Sequence, residues 1–314
     1  MRATWRSLLT KGKTMRVDPS YVTNLVGALD QSELSQQQLT AQLSSGVRVN
    51  SLSEDPLAAG QNVLLLNQVQ RDDSFTQSSN LVMGQLQVAD SVLGQVVQQL
   101  TQAVSLSVSA NNGTMNASNV KSISNQIAGI RGEVLGLANT SYQGQYIFAG
   151  GQTANSPFTL SSGVTRDTVT YNGDQDSNYL ETPNGQKIQL NIPGDQIFSG
   201  SGVNDVFAAL NNLVADYSSG TVDTAQAVKD SQALSSALNY VSQQRVSLDN
   251  SITQLTAATD AVSSEQTQVV AVQTNLMQAN VATVATQLAL SKAQQTALQS
   301  VIAQLGSGSL FDKL

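Results

Sequence analysis

The residue types that carry most enzyme chemistry are missing from this chain. It has 314 residues, no cysteine, no histidine and a formal net charge of -7. These absences exclude Cys and His nucleophile systems, imidazole general bases, and nearly all zinc and haem sites. They also exclude disulfide bonds, and the acidic balance argues against a nucleic-acid partner. The sequence therefore predicts a protein that is not an enzyme and that has no catalytic, cofactor-binding or metal site.

One carboxylate pair has a local context that resembles a catalytic one. Glu54 and Asp55 are adjacent, Arg48 precedes them, and Pro56 follows. General acid–base chemistry needs a cleft and a perturbed pKa. An Asp-Pro step is also a good N-cap followed by a good first helical residue, and Arg48 supplies a local ion pair. Capping explains these residues with fewer assumptions than catalysis.

A second candidate is a loop with alternating oxygen ligands. The run from Asn172 to Asn178 reads Asn-Gly-Asp-Gln-Asp-Ser-Asn, which is the ligand alternation of calcium loops. Its sixth position is Ser177 instead of glycine, and its twelfth is Pro183 instead of glutamate, so two requirements of such loops fail. A solvated hairpin turn at Asn172-Gly173 is the simpler interpretation.

The elements that would hold any site are mainly long helices. The stretch from Thr221 to Leu305 has neither glycine nor proline, the two strongest helix breakers. An unbroken helix of that length would reach roughly 130 Å, so one or more bends are expected. Its apolar residues recur at three- and four-residue steps, which is typical of a coiled coil or a long bundle.

Both chain ends carry matching heptad patterns, in which apolar residues flank two polar layers. Paired antiparallel, apolar layers meet apolar layers and polar layers meet polar layers. Polar layers fix register at a cost in stability. The predicted layers are Val22–Leu305, Leu25–Ile302, Leu29–Leu298, Ser32–Gln295, Gln36–Ser291, Leu39–Leu288 and Leu43–Val284. We predict an antiparallel helix pair; two unrelated amphipathic helices are the alternative. Such a pair would be marginal alone and would gain stability in an assembly.

The middle of the chain changes from helical to strand character and back. Gly46 is expected to end the first helix, and Ser118 is expected to cap the third. Lys187–Ile192 alternates with strand period, and 164–171 is rich in Val and Thr. Helical spacing resumes at 203, and one face of the predicted helix carries Val206, Leu210, Leu213 and Tyr217.

The predicted fold class is mainly α, a long helical rod or coiled-coil bundle formed by both chain ends with a small inserted β domain. Residues 15–44 and 276–314 form the terminal helix pair. Residues 45–149 and 203–275 form a helical bundle domain, and residues 150–202 form the inserted β domain. Residues 1–14 are basic and are interpreted as an extension from a mis-set start codon, or as a disordered arm. They lack the apolar run of a secretory signal, and no run in the chain is long enough for a membrane helix.

Several motifs resemble the flagellin family, and within it the hook-associated proteins of type three at the hook–filament junction. Leu43–Ser51 (LSSGVRVNS), followed by Glu54-Asp55-Pro56, resembles the signature of the wider family. Further segments resemble the junction proteins specifically: Leu137–Thr140, Gly144–Gly151, Tyr171–Asp174, Gly194–Phe198, Leu290–Gln299 and Ser309–Leu314. Flagellins tend to end instead in a Ser-Leu-Leu-Arg-like tail. Asn280 departs from the acidic residue expected there, which puts a local contact in doubt.

The resemblance implies an extracellular structural protein of the bacterial flagellum that acts by self-assembly and not by catalysis. It implies export through the flagellar secretion system without a cleaved signal, an export chaperone, and a ring of copies. The ring would contact a neighbouring hook-associated protein or the hook on one side and flagellin on the other. The assembly residues would be those of the terminal helix pair, and the family-motif loop would be Gly46, Arg48, Asn50, Asp55 and Pro56. Alternatives are bulk flagellin, a ligand-binding or enzymatic insertion, and a non-flagellar coiled-coil scaffold.

Overall fold

A computed structural model of the chain describes residues 19–112, 115–163, 166–200 and 204–307. The side chains of residues 19, 22 and 305–307 lie outside the description, as do the predicted extension 1–14, the strand start at 164–165, the boundary at 201–203 and the tail from 308. The chain divides into two compact units. We call Met1–Asn67 with Val269–Leu314 the terminal unit, and Gln68–Gln268 the central unit.

The chain is mainly α with small strand pairs, as the sequence predicted. Its elements in chain order are α1 Pro19–Ser45, α2 Pro56–Asn111, α3 Ala117–Ala138, β1 Ser141–Tyr142, β2 Gln145–Tyr146, β3 Phe158–Ser161, β4 Thr168–Tyr171, β5 Tyr179–Glu181, β6 Lys187–Gln189, α4 Gly194–Phe198, α5 Val206–Ser218, α6 Thr224–Met277 and α7 Val281–Ser307. Within the ranges that the structure describes, each helix is too short or too polar to cross a lipid bilayer.

The glycine- and proline-free stretch is interrupted once among the described residues, between α6 and α7. Gln278 and Ala279 leave the helix, and the Asn280 side chain accepts a hydrogen bond from the Thr283 amide at 3.1 Å. Asn280 therefore caps α7, since asparagine is as good an N-cap as aspartate. The terminal unit includes more of the chain than the predicted helix pair, since it extends to 67 instead of 44 and begins again at 269 instead of 276. The reason is that the start of α2 contacts the end of α6, where the Gln273 amide donates to Asn62 at 2.8 Å.

In the central unit, α2 and α6 run antiparallel, because residues later in α2 contact residues earlier in α6. Arg245 of α6 donates to Asp90 of α2 at 2.7 and 3.1 Å, and Gln266 donates to Asp73. Buried residues recur at seven-residue steps along both helices. On α2 they are Asp72, Ser79, Leu86, Leu93, Leu100 and Ser107, and on α6 they are Ala227, Leu234, Val241, Leu248, Leu255 and Val262.

The helices α3 and α5 pack together and are capped by side chains. Asn116 caps α3 by accepting from the Asn119 amide at 2.8 Å, so the predicted cap, Ser118, is wrong by two residues. Asp205 caps α5 by accepting from the Ala208 amide at 2.7 Å. The predicted apolar face of α5 is fully buried, with Val206, Leu210, Leu213 and Tyr217 each at 0% exposure.

Among the residues that the structure describes, the strands form three separate two-stranded antiparallel sheets. The first sheet, β1–β2, lies before residue 150, in a range that the sequence assigned to helix. Its two-residue turn is Gln143-Gly144, with φ of 51° and 82°. Positive φ at both turn positions is the geometry that matches the twist of a tight hairpin. The sequence prediction missed it because Gln-Gly is a weaker turn signal than Asn-Gly.

The other two sheets correct the predicted hairpin. β3 pairs with β4 in the register Phe158↔Tyr171, so the hairpin turn lies between Ser161 and Thr168. Asn172-Gly173 follows β4 and is not the turn, because the Asn172 amide continues the ladder by donating to Pro157 O at 2.7 Å. β5 pairs with β6, which ends at Gln189, three residues before the predicted end.

An aromatic cluster joins the strand region to α5. Phe158 and Phe198 are at its centre, with ring centroids 5.4 Å apart and nearly perpendicular rings. Phe148 lies 5.5 Å from Phe198, and Phe207 of α5 lies 5.3 Å from Phe158. All four are at most 2% exposed. Edge-to-face aromatic packing of this kind fixes ring orientation as well as burying area.

Candidate assembly surface of the terminal unit

The terminal helices α1 and α7 pack along each other with a shallow seam. Val284 is buried, and the other described seam residues are half-buried: Leu25, Leu29, Leu39, Leu288, Leu298 and Ile302. The predicted Leu43–Val284 layer is not closed, because Leu43 is 37% exposed next to the turn at Gly46. Val22 and Leu305 have side chains outside the described set.

The two polar layers meet at the middle of the seam. Gln36 donates from its amide nitrogen to Gln295 Oε1 at 2.9 Å and to Ser291 O at 3.2 Å. The Ser32 hydroxyl lies 3.4 Å from the Ser291 hydroxyl. The predicted pairing of Gln36 with Ser291 is present, whereas Ser32 faces Ser291 instead of Gln295. Every one of these contacts would be lost or rearranged by a one-turn slip, so the layers specify register.

A groove runs along one face of the α1–α7 pair. Its volume is about 910 Å³. It is lined by Ala28, Gln31, Ser32, Ser35, Leu39, Gln287, Leu290, Ser291, Gln294, Ala297, Leu298 and Val301. The lining contains no charged side chain, so a second helix could enter it without desolvating an ion. The exposed residues Leu290 (57%) and Val301 (37%) would supply apolar contacts to that helix.

The family-motif loop begins where α1 ends, at Gly46. Gly46 has φ +70°, a left-handed conformation that favours glycine at a helix C-terminus. Its amide donates to Gln42 O, and its carbonyl accepts from Ala279 N, both at 2.9 Å. The next residue, Val47, forms a bridge with Gln278. The loop is therefore held against the α6–α7 connection through backbone hydrogen bonds.

Arg48 links two helix ends within the terminal unit. Its guanidinium donates to Leu276 O, in the last turn of α6, at 3.1 and 3.3 Å, and pairs with Asp55 at 3.1 Å. Asp55 in turn caps α2 by accepting from the Ala58 amide at 3.0 Å. A cation at a helix C-terminus and an anion at a helix N-terminus each interact favourably with the helix dipole.

The remaining motif residues make hydrogen bonds within the loop. The Asn50 amide donates to Glu54 Oε2 at 2.8 Å, and Pro56 opens α2. The Ala58 amide, followed by the Arg48 guanidinium, lowers the pKa of the Asp55 carboxyl below its ordinary value of 3.8. Both carboxylates thus accept from backbone amides: Asp55 in the capping role that the sequence favoured, and Glu54 within the loop before α2.

Comparison with known proteins gives the family. The profile of the bacterial flagellin N-terminal helical region matches residues 22–153. Flagellar hook-associated protein 3 of Escherichia coli (strain K12) is 30% identical over 68% of this chain and 67% of its own length. The chain belongs to the flagellar hook-associated protein 3 family. The Salmonella typhimurium member is also 30% identical, over 57% of this chain and 55% of its own length, so the alignment spans little more than half of that relative.

Solved structures of the same family share the fold. A structure assigned as a flagellar hook-associated protein from Vibrio parahaemolyticus matches with a TM-score of 0.64 at 17% identity, covering 72% of this chain and all of the other. Hook-associated protein 3 of Legionella pneumophila matches with a TM-score of 0.59 at 13% identity, covering 68% and 98%. The likeness at these low identities establishes the fold.

The candidate calcium loop has a structural role in the central unit. Asp174 Oδ1 accepts from the Gly151 amide at 2.6 Å and from the Asp176 amide at 3.1 Å. A Cβ added at Gly150 would fall on the Asp174 carboxylate, so the Gly-Gly pair is needed for this approach. In the described ranges, no three Asp or Glu side chains are grouped to hold a metal ion.

The sequence reasoning missed a buried polar network in the central unit. Arg131 of α3 is 8% exposed and pairs with Asp167 at 2.9 Å and with Asn211 of α5 at 2.9 Å. A signal was present, because Arg131 lies among the buried face residues Ile127, Ile130 and Val134 of α3. A cation within an apolar helix face indicates a buried partner.

Proposed function

We propose that this chain is a structural subunit of the bacterial flagellum that connects the hook to the filament by self-assembly and not by catalysis. The observation that carries the proposal is the apolar surface of the terminal unit. Its helices expose large apolar side chains, which are Tyr21, Val26, Leu34, Leu43, Leu57, Val63, Leu64, Leu66, Val270, Val272, Val281, Leu290 and Val301. Fully burying one such side chain from an exposed state contributes roughly 1.5–3 kcal/mol, and a partner surface would recover the part that corresponds to the area still exposed.

The charge pattern supports helix packing as the mode of association. Only Asp30 and Glu33 are charged in α1, and only Lys292 is charged in α7. A helix pair with so few charges has little desolvation cost to set against the apolar gain. We place the groove between α1 and α7 against helices of neighbouring copies in a ring. The terminal helices α1 and α7 become fully ordered on assembly, and the strand region faces outward.

Partners and location follow from the family. The relatives are named as flagellar hook-associated proteins, and we extend that setting to this chain. Its neighbours are then other copies of itself, a second hook-associated protein or the hook, and flagellin. Export proceeds through the flagellar secretion channel with a chaperone that covers the apolar terminal helices, and the assembled protein is extracellular.

The test is a groove variant in a strain that lacks its own hook-associated protein 3. Leu290→Ser with Val301→Ser removes apolar contacts from the groove, and Leu160→Ser with Tyr179→Ser removes exposed apolar residues of the central unit as a matched control. We expect secretion of both proteins but filament attachment and motility only with the control. Filaments that attach normally with the groove variant would contradict the role of this surface.

The assembly-ordering step has its own measurement, limited proteolysis of the purified monomer read by mass spectrometry. Cuts before about Leu43 and after about Leu276, with a resistant central unit, are expected if the terminal helices gain order on assembly. Terminal helices that resist cleavage as well as the central unit does would instead indicate a coiled coil that is stable in the free protein.

Bulk flagellin is the second candidate, because the flagellin N-terminal region matches residues 22–153. Polymerisation separates the two functions. A bulk filament protein grows long filaments from its purified monomer when it is given seeds, whereas a junction subunit does not extend beyond a ring. We expect no long filaments from this chain under conditions in which a flagellin control polymerises.

A further inference from the structure

Two carboxyl groups face each other where α5 ends and α6 begins. Asp216 lies in the last turn of α5, and Asp230 lies in the second turn of α6, within hydrogen-bond distance of Asp216. Arg166, from the segment before β4, approaches Asp216 at 3.6 Å and also donates to Asn212 of α5. Two helices and one strand segment therefore converge on this pair.

Asp230 is arranged as a hydrogen-bond acceptor at both of its oxygens. Its Oδ1 accepts from Asn212 Nδ2 at 3.3 Å, and its Oδ2 accepts from Gln226 Nε2 at 2.9 Å. The residue is only 5% exposed. Both oxygens of this buried carboxylate therefore already have amide donors, and each can accept a further hydrogen bond.

Asp216 has the opposite environment. Its side chain is 14% exposed, and its Oδ2 is buried without a hydrogen-bond donor. An ionised oxygen in that place would be desolvated and unpaired, which is costly. A protonated carboxyl carries an O–H donor, and a proton on Oδ2 would give this atom a partner in Asp230.

We propose that Asp216 and Asp230 form a carboxyl–carboxylate pair that shares one proton, and that this pair is a pH-sensitive clasp between the end of α5 and the start of α6. With the proton present, the pair carries one negative charge, which Arg166 balances. Without it, two carboxylates face each other against a single cation. The clasp lies wholly within the central unit, and it does not depend on the proposed assembly role.

The surrounding charges agree with this assignment. Burial, followed by the hydrogen bond and the charge of the neighbouring Asp230, raises the pKa of Asp216 to about 6, although Arg166 opposes the shift. Asp223, in the connection between α5 and α6, adds a weaker repulsion. On α5 itself, burial raises the pKa of the Tyr217 phenol, so that group stays neutral.

The sign of the pH dependence follows from the raised pKa. The folded state holds the shared proton up to about pH 6, whereas the unfolded carboxyl loses it near 3.8. The clasp therefore stabilises the fold fully below pH 3.8, and this contribution is lost as the pH rises through 6. Between pH 8 and pH 5, the folding equilibrium constant should rise about tenfold from this group alone.

The test compares wild-type protein with Asp216→Asn, which donates a hydrogen bond to Asp230 at every pH. Unfolding by urea is measured at pH 5 and pH 8, with Asp260→Asn as the control, since Asp260 is an exposed aspartate of α6 with the same change of charge. We expect Asp216→Asn to remove about tenfold of the pH 5 to pH 8 ratio of folding equilibrium constants. The control should leave that ratio unchanged.

Hydrogen exchange of the wild-type protein gives a second readout that needs no substitution. After correction for intrinsic rates, amides of residues 216–230 should exchange several-fold faster at pH 8 than at pH 5. A wild-type ratio equal to that of Asp216→Asn would overturn the clasp.

Discussion

The terminal and central units contain similar heptad patterns but differ in how deeply the heptad residues are buried. In the central unit, leucines at heptad positions are buried to 3% exposure or less, and aromatic rings fill the space between strands and α5. In the terminal unit, the heptad residues of α1 and α7 are mostly half-buried, and many large apolar residues face solvent. A heptad pattern therefore indicates where a helix has an apolar side, but it does not say whether the partner belongs to the same chain.

Polar residues in the two seams differ in the same sense. In the terminal seam, Gln36 donates hydrogen bonds to Ser291 and to Gln295 at a partly buried site. In the central seam, the Asp72 and Ser79 side chains have buried oxygens without partners. The terminal polar layers have hydrogen-bond partners and specify register. The central polar residues leave buried oxygens unpaired and so lower the stability of their seam.

The largest effect is expected in the aromatic cluster. Phe198→Ala should lower the free energy of unfolding of the central unit by about 3–5 kcal/mol, because it empties a fully buried site that contacts three other rings. Leu34→Ala, at a residue of α1 that is 65% exposed, should change the free energy of unfolding of the monomer by less than about 0.5 kcal/mol. Equal losses in urea unfolding of the two monomers would contradict the difference between the units.

The second prediction is a gain in stability. Asp72 is 2% exposed and occupies a leucine-like heptad position, with Oδ2 unpartnered. Asp72→Leu should raise the free energy of unfolding by about 1–2 kcal/mol at pH 7, with Asp72→Asn in between. A loss of stability in the leucine variant would show that the carboxylate has a partner that the seam geometry does not reveal.

The pH dependence of that variant sharpens the same prediction. Burial, followed by the charge of Glu265, raises the pKa of Asp72 above 3.8. Wild-type protein should therefore gain stability as the pH falls through that raised pKa, while the leucine variant has no such gain. The advantage of Asp72→Leu should shrink on acidification, as read from urea midpoints at pH 7 and pH 4.

Much of this architecture could be predicted from local patterns. The α1–α7 register followed from polar residues at matching heptad positions, and the start of α2 followed from Asp55-Pro56. These signals are carried by residues close in sequence, where spacing fixes which side chains share a face. The family motif loop was equally recognisable, because its glycine, capping aspartate and proline each answer a local backbone requirement.

The rest depended on contacts between distant segments. Arg166 and Asp216 are far apart in the chain, and nothing near either residue indicates the other. Arg48 was expected to pair locally with Asp55, but its hydrogen bonds to Leu276 O join residues more than 200 positions apart in the sequence. The β1–β2 turn was missed for a different reason, since Gln143 adopts a positive φ that its residue type does not favour.

A third prediction concerns register in the terminal seam. Gln36→Leu removes the donor that contacts Gln295 and Ser291, so it should raise helix-pair stability by less than about 1 kcal/mol while weakening the choice of register. The register can be measured with engineered cysteine pairs, because the chain has no cysteine of its own.

Under oxidation, the disulfide should form more readily in Leu29→Cys with Leu298→Cys than in Leu25→Cys with Leu298→Cys. Gln36→Leu should reduce that preference. An unchanged preference would assign register to the apolar layers alone.

The smallest effect on stability is expected at the family-motif loop. Acid should loosen this loop of the terminal unit, whereas it should tighten the Asp216–Asp230 clasp of the central unit. Arg48→Met keeps the side-chain stem but loses the hydrogen bonds to Leu276 O and Asp55. Since the Arg48 side chain is 44% exposed, the global stability should barely change, while amides of residues 46–58 should exchange a few-fold faster. The pKa of Asp55 is lowered, so its stabilising contribution is present above pH 3.8 and is lost as the pH falls through the lowered value. Acid should therefore loosen this loop under the same conditions that tighten the Asp216–Asp230 clasp, and hydrogen exchange at pH 3 and pH 6 would detect both. If both segments responded to acid in the same direction, the opposite electrostatic roles assigned to Asp55 and Asp216 would be wrong.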